Sequence, residues 1–215
     1  MVDASEILEV LQEHYSEEEL TTLNGMRENP DPFKVLIGCL VSINIKDDVT
    51  NIILEELFNQ AKNFQEIIDI PTKQLEKILY NSRYRKVKAA RLKDVSSDII
   101  IRFKGKVPNN ETDLLSIKGI GPKTCNLVLN FAFGQNKIPV DSNTIRISNR
   151  IGWINSKKAE DVEELLIEQL DEDFLKEANA VFMLHGKNIC VSVSPHCSKC
   201  PVSLACKRVG VKKSR

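Results

Sequence analysis

The chain has 215 residues, 42% of them hydrophobic, and its 30 basic and 30 acidic side chains cancel to a formal charge of zero. That is apolar material for one good core or two small ones, and the lack of repeats or low-complexity sequence excludes solenoid, fibrous and disordered classes. No run approaches the length of a membrane span, and MVDASEILEV offers neither a basic n-region nor a long apolar stretch, so no membrane partner and no export are expected and the expected compartment is the cytoplasm.

In chain order, Asp3 and Glu6 have the spacing of a capping box, and Ile7, Val10 and Leu11 then form the apolar stripe of a short first helix. Asp31 before Pro32 opens a second, with Phe33, Leu36, Ile37, Leu40 and Val41 following at i, i+3, i+4, i+7 and i+8. Val49, Ile52, Ile53 and Leu57 mark a third helix, and Pro71 and Thr72 separate a short segment around Ile67 from another ending near Leu79. A longer helix should run from about Tyr84 toward Phe103 with Val87, Val95 and Ile99 inward, until Gly105 and Pro108 break it. Further helical segments follow Asp141, around Ile145 to Ile151, Val162 to Leu170 and Phe174 to Ile189. Period-two alternation is nowhere sustained, so the fold reads as all-α.

Between the long helix and these last segments lies LLSIKGIGPKTCNLVLNFAFGQNKIPVD, residues 114–141. Gly119 and Gly121 flank Ile120, so the backbone can take positive φ and bring N–H groups close to an outside anion. Pro122 suits a first helical position, and Thr124, Leu127, Val128, Phe131 and Ala132 supply the buried stripe behind it. Lys123 therefore sits in a first helical turn, and a neutral lysine amine is a nucleophile. Standing alone, G-x-G-P-K reads equally as a left-handed turn with a surface lysine. Asp141, before S-N-T-I-R-I, is a good helix N-cap on its own account.

The zero net charge conceals an uneven distribution. Residues 1–31 carry nine acids against Arg27, whereas Arg83, Arg85, Lys86, Lys88, Arg91, Lys93, Arg102, Lys104 and Lys106 face only Asp94 and Asp98. Such a run is either a solvated helix face or a wall for a polyanion. The segment after the last cysteine adds Lys207, Arg208, Lys212, Lys213 and Arg215. Cys190, Cys197, Cys200 and Cys206 are spaced C-x6-C-x2-C-x5-C, close enough for a metal site or two disulfides. A reducing compartment argues against disulfides, and ligand type does not choose between zinc and iron–sulfur. Cys39 and Cys125 read as small buried hydrophobes, and His185 as a packed helix histidine.

L-x-x-I-K-G-I-G-P-K-T followed by P-V-D resembles the helix-hairpin-helix and Gly-Pro-Asp motif of the endonuclease III superfamily of DNA glycosylases, with Ile117 and Lys118 in place of the usual leucine and proline. The likeness runs from D-P-F-x-x-L-I at Asp31 through the cysteines. It implies a six-helix domain over residues 25–135 and a second domain from 1–24 with 136–215, the DNA cleft lying between them with Lys123 and Asp141 facing each other across it. The cysteine spacing, with H-G-K-x-x-C at His185, is similar to the family's [4Fe–4S] loop, and that cluster is expected to be structural because four thiolates leave no open position.

From the same resemblance Lys123 is the imine-forming residue of the bifunctional enzymes, glycosylases that also cleave abasic sites. Asp141 is the carboxylate that stabilises the cationic sugar, and the partner is duplex DNA with a damaged base or abasic site. Gly119, Gly121, Lys118, Arg91 and Lys199 are candidate phosphate contacts, Asn44 and Asn81 lie in loops that meet the flipped-out site, and Leu79 is either the family's aliphatic wedge or a core leucine. Asn44 replaces a glutamine, Asn143 replaces a common histidine, and Val191 to His196 lack the basic residues that relatives carry between the first two cysteines. Oxidised pyrimidines are the expected substrates, with a uracil or thymine mismatch glycosylase and a weakly catalytic DNA-binding iron–sulfur module as alternatives. No long apolar stripe or heptad pattern calls for a second copy, so a monomer is expected.

Overall fold

The structure, a computed structural model, describes residues 3–16, 26, 30–80 and 82–215. In chain order the helices are α1 (Ala4–His14), α2 (Pro32–Ser42), α3 (Asp47–Gln60), α4 (Phe64–Asp69), α5 (Thr72–Ile78), α6 (Arg85–Phe103), α7 (Glu111–Leu115), α8 (Pro122–Phe133), α9 (Ser142–Ile151), α10 (Ala159–Gln169) and α11 (Glu172–Asn188). A 3-10 turn, Cys197–Lys199, follows. No strand occurs among the described residues, and the fold is all-α as expected. None of these helices is long and apolar enough to cross a membrane.

Contacts divide the chain into two compact units, Thr21–Gln135 and Met1–Leu20 with Asn136–Arg215. The boundary expected at residue 25 lies outside the described residues, as do Asn81 and the charged residues Glu17, Glu18, Glu19, Arg27 and Glu28.

In the Thr21–Gln135 unit, α2 starts where the Asp31 carboxylate accepts the Phe33 N–H at 2.9 Å and Pro32 gives up a hydrogen bond that no helix start can use. From Val35 to Val41 every residue is buried, so the helix is apolar all round and serves as the core of the unit. It packs against α8, α3 and α6. α8 is equally enclosed, with Thr124 through Phe131 all buried. Two fully enclosed neighbours leave little freedom at their ends, which is how the core positions the first turn of α8.

Two expected apolar positions are corrected. Val10 is 41% exposed and Val87 57% exposed, while Leu8 and Ala89 are buried in their stead. At about 100° per residue Val87 lies roughly 80° round the helix from Val95, too far to share a narrow apolar face. Leu79 is fully buried and caps the end of α5, where it packs with Leu75 and Ile78 in the core.

In the other unit, Asp3 caps α1 by accepting the Ser5 N–H at 2.9 Å. Ile7, Leu8 and Leu11 pack with Ile147, Ile151, Val162, Leu166, Leu175 and Phe182, and Trp153 meets Phe182 edge-on at 6.2 Å.

Candidate active site

The hairpin is built from its buried flanks outward. Asn110 caps α7 through the Asp113 N–H at 2.9 Å, and Ile117 and Ile120 are buried on either side of the tip. Lys118 and Gly119 are left exposed between them. Gly119 has φ of +107°, and an added Cβ would stand 3.1 Å from Arg91 Cγ. The Arg91 side chain therefore lies against the hairpin at Gly119. Gly121 departs from expectation, since its φ is −104° and it serves as the extended N-cap of α8. A Cβ there would meet nothing within 4 Å, so it leaves open space. Pro122 occupies the first turn as expected, and Lys123 follows it with an exposed side chain. Its charge reaches Cys39 in α2, whose thiol burial pushes up to about 12 against the pull of that ammonium.

The basic run is not a uniform wall. Arg102 donates to the Ser116 carbonyl at 3.1 Å and hydroxyl at 2.6 Å, beside the hairpin. Lys88 and Lys93 turn inward instead. Lys88 Nζ donates to the Val41 carbonyl at 2.7 Å and also to that of Ile43, and Lys93 donates to the Ile68 and Ile70 carbonyls. Each ammonium thus supplies a proton to carbonyls that a helix end leaves without partners. Lys88 also braces the turn carrying Asn44, which is exposed and left-handed at φ of 57°. Nothing in the sequence distinguished these two lysines from their solvated neighbours.

In the other unit Asp141 is the N-cap of α9. Its Oδ1 accepts the Asn143 N–H at 2.8 Å, the Thr144 N–H at 3.0 Å and the Thr144 hydroxyl at 3.3 Å. Capping by one oxygen fixes the direction of the whole carboxylate. Behind it, Arg146 Nη2 donates to Asn143 Oδ1 at 2.8 Å and to the Gly186 carbonyl at 3.1 Å, while Nε donates to the Cys190 carbonyl at 3.0 Å. Only glycine fits at position 186, where a Cβ would come within 2.5 Å of Asn143 Oδ1. Sequence reasoning missed Arg146 and Arg150. Their i, i+4 spacing beside the Ile147 and Ile151 stripe was the available signal.

The four cysteines line one cavity with Ile147, Ile151, Ile189, Val202 and Val211. Among the described residues no disulfide forms. Burial raises the Cys200 thiol to about 11, and neighbouring Cys206, Cys190 and Cys197 push it the same way against a backbone hydrogen bond at Val202. Four thiolates crowded on one cavity need cations to offset their mutual repulsion, so the donor set fits a metal centre. Among the described residues no three His, Cys, Asp or Glu side chains are grouped to hold a metal ion, and the four sulfurs rim one cavity. N–H donors already point at sulfur, from Arg150 Nη1 to Cys190 at 3.4 Å and from the Arg208 backbone to Cys206 at 3.4 Å. His185, buried as expected, bonds the Tyr15 hydroxyl at 3.2 Å through Nδ1 and has Nε2 3.7 Å from Cys200 Sγ. Lys199 stands exposed on the 3-10 turn.

Residues 37–172 match the model of a family described as HhH-GPD superfamily base excision DNA repair protein. Endonuclease III of Thermotoga maritima is 32% identical over 177 residues, which span 82% of this chain and 83% of that protein. A solved structure described as a trapped endonuclease III–DNA covalent intermediate has a TM-score of 0.81 at 24% identity, covering 94% of this chain and 93% of the other. A thermostable thymine-DNA glycosylase has a TM-score of 0.82, also at 24% identity, with 94% of each chain covered. At that identity the structural likeness establishes the fold.

Proposed function

Because the chain belongs to the endonuclease III family of the HhH-GPD superfamily, and is a base-excision-repair DNA glycosylase, we propose that it is bifunctional and excises oxidised pyrimidines from duplex DNA. The observation that carries this reading is the exposed Lys123 in the first turn of α8, directly behind the hairpin glycines. A hydrolytic glycosylase needs only an activated water. A lysine amine there supplies covalent chemistry.

In this reading Lys123 Nζ attacks C1′ of a nucleotide turned out of the duplex, the C1′–N bond breaks, and the base leaves with the bonding pair and a proton. The sugar ring opens as the amine becomes an imine. Loss of a C2′ proton then expels the 3′ phosphate by breaking the C3′–O bond, and water releases the enzyme. Asp141 stabilises the positive charge that builds on the sugar and exchanges protons with the amine. Its capping bonds hold that carboxylate ready. Lys118, the Gly119 and Gly121 backbone, Arg91 and Lys199 contact phosphates, and Asn44 fills the space left in the helix.

Cys190, Cys197, Cys200 and Cys206 would hold a [4Fe–4S] cluster, whose contribution is to tie the 190–206 segment into one rigid piece. The enzyme is proposed to act as a monomer.

The test presents the protein with duplexes bearing one thymine glycol, one uracil or one thymine opposite guanine, and resolves the ends of the products. The reading expects the thymine glycol strand to be cut, with an unsaturated aldehyde at the new 3′ end. Strands that break only on treatment with alkali would leave a hydrolytic glycosylase. Preference for the mismatched thymine would move the substrate to the mismatch branch.

A further inference from the structure

The loop between the first two cysteines, Val191 to His196, has no lysine or arginine, yet the surface around it is not neutral. No acidic residue occurs from Ala178 to Arg215, while Lys187, Lys199, Lys207, Arg208, Lys212, Lys213 and Arg215 do. The last five belong to a segment held at both ends. At one end the Lys207 N–H donates to the Ile151 carbonyl at 3.2 Å and the Val209 N–H to the Arg150 carbonyl at 3.0 Å. Val211 then enters the wall of the cysteine cavity. At the other end the Arg215 N–H donates to the Pro195 carbonyl at 2.8 Å, the Ser198 N–H donates to the Arg215 carbonyl at 3.1 Å, and Arg215 Nε donates to the Ser194 carbonyl at 3.1 Å. The segment is thus a strap across the bare loop. Lys212 and Lys213 are carried between its two anchors with exposed side chains.

We propose that the Lys207–Arg215 strap is a docking surface for the sugar–phosphate backbone of duplex DNA, and that it supplies in space the cations missing from the loop it crosses. Three observations favour this partner. The stretch carries side-chain charge of one sign only, with no Asp or Glu from Ala178 to Arg215. Backbone hydrogen bonds fix the strap beside exposed Lys199, so little ordering entropy opposes binding. Its lysines are exposed point charges of the kind that bind phosphate without reading sequence. The assignment rests on the glycosylase reading only in taking duplex DNA as the ligand.

The experiment uses holoprotein with unchanged visible absorbance and a duplex containing a tetrahydrofuran abasic analogue, which binds but cannot be cleaved. Fluorescence anisotropy across a range of potassium chloride concentrations gives the slope of log affinity against log salt. For the variant carrying Lys212→Gln and Lys213→Gln, the slope should become shallower by about 0.9 for each phosphate that no longer meets a lysine, with weaker binding at low salt. Unchanged slope and affinity would overturn the proposal. So would an equal loss from Lys157→Gln with Lys158→Gln, which would reduce the effect to net charge. If the strap cations only balance the thiolate charge of the cluster, iron content falls while the binding of the loaded fraction stays as in the wild type, and the proposal again fails. Wild-type protein that binds this duplex but leaves true abasic sites intact would remove the lyase reading and leave the strap assignment in place.

Discussion

Gly119 carries more of the hairpin's geometry than any charged neighbour. Its φ of +107° is a conformation that L side chains rarely adopt, and an alanine Cβ would press on Arg91 Cγ at 3.1 Å. Gly119→Ala should therefore cost about 1–3 kcal/mol in urea unfolding and weaken duplex binding, whereas Gly121→Ala, in open space with a negative φ, should cost less. Lys88 gives a second prediction. Burial, with the positive charge of Arg91 adding to it, lowers its pKa to about 8 from 10.5. Below 8 folded and unfolded chains both hold the proton; between 8 and 10.5 the folded chain has released it while the unfolded chain has not, so this group's contribution to stability rises with pH and is complete above 10.5. Lys88→Met should lose that rise, so unfolding curves of wild type and variant should diverge between pH 7.5 and pH 10 (about the limits of that window). Parallel curves would mean the ammonium is not held as described. Neither feature was fully legible beforehand. The hairpin glycines announced a turn, but only the packing of Arg91 shows why one of them has to be glycine, and the Lys88 contact joins residues 47 positions apart.

At the scale of the helix, capping was the most readable signal. Asp3 and Asp31 were each expected to open a helix from the residue type and the apolar pattern that follows, and each accepts the N–H bond required. Asp141 was read as both cap and catalyst, and substitution can separate the two roles. Asparagine caps a helix about as well as aspartate, so Asp141→Asn should keep stability within about 0.5 kcal/mol, while Asp141→Ala should lose roughly 0.5–2 kcal/mol. Base excision should fall sharply in both, as measured by single-turnover release from a damaged duplex. Full activity in Asp141→Asn would reduce the residue to a cap. The two misread positions have a common cause. Val10 and Val87 were assigned by hydrophobicity and local spacing, but which flank of an amphipathic stripe is covered depends on the helices packed against it, and no single helix encodes its neighbours.

For the whole molecule, composition was a poor guide and order along the chain a good one. A net charge of zero hides the acid-free stretch beyond Ala178, and only the folded path shows its last part crossing the cysteine loop. The spacing of the cysteines left a metal site or two disulfides open and the family resemblance chose between them; the fold adds that the four thiols line one cavity. Cys200→Ser should lower iron content and destabilise the cysteine-bearing unit, which visible absorbance and thermal unfolding would follow, since metal-binding energy at such a site is folding energy. The division into two units was implied by family resemblance, and periodicity carries no trace of it. Covalent chemistry at Lys123 is open to borohydride trapping on a duplex with a single abasic site. If Lys123 forms the imine, wild-type protein gives a covalent protein–DNA adduct and Lys123→Ala gives none. An adduct that survives Lys123→Ala, or none from folded, iron-loaded wild-type protein, would contradict it.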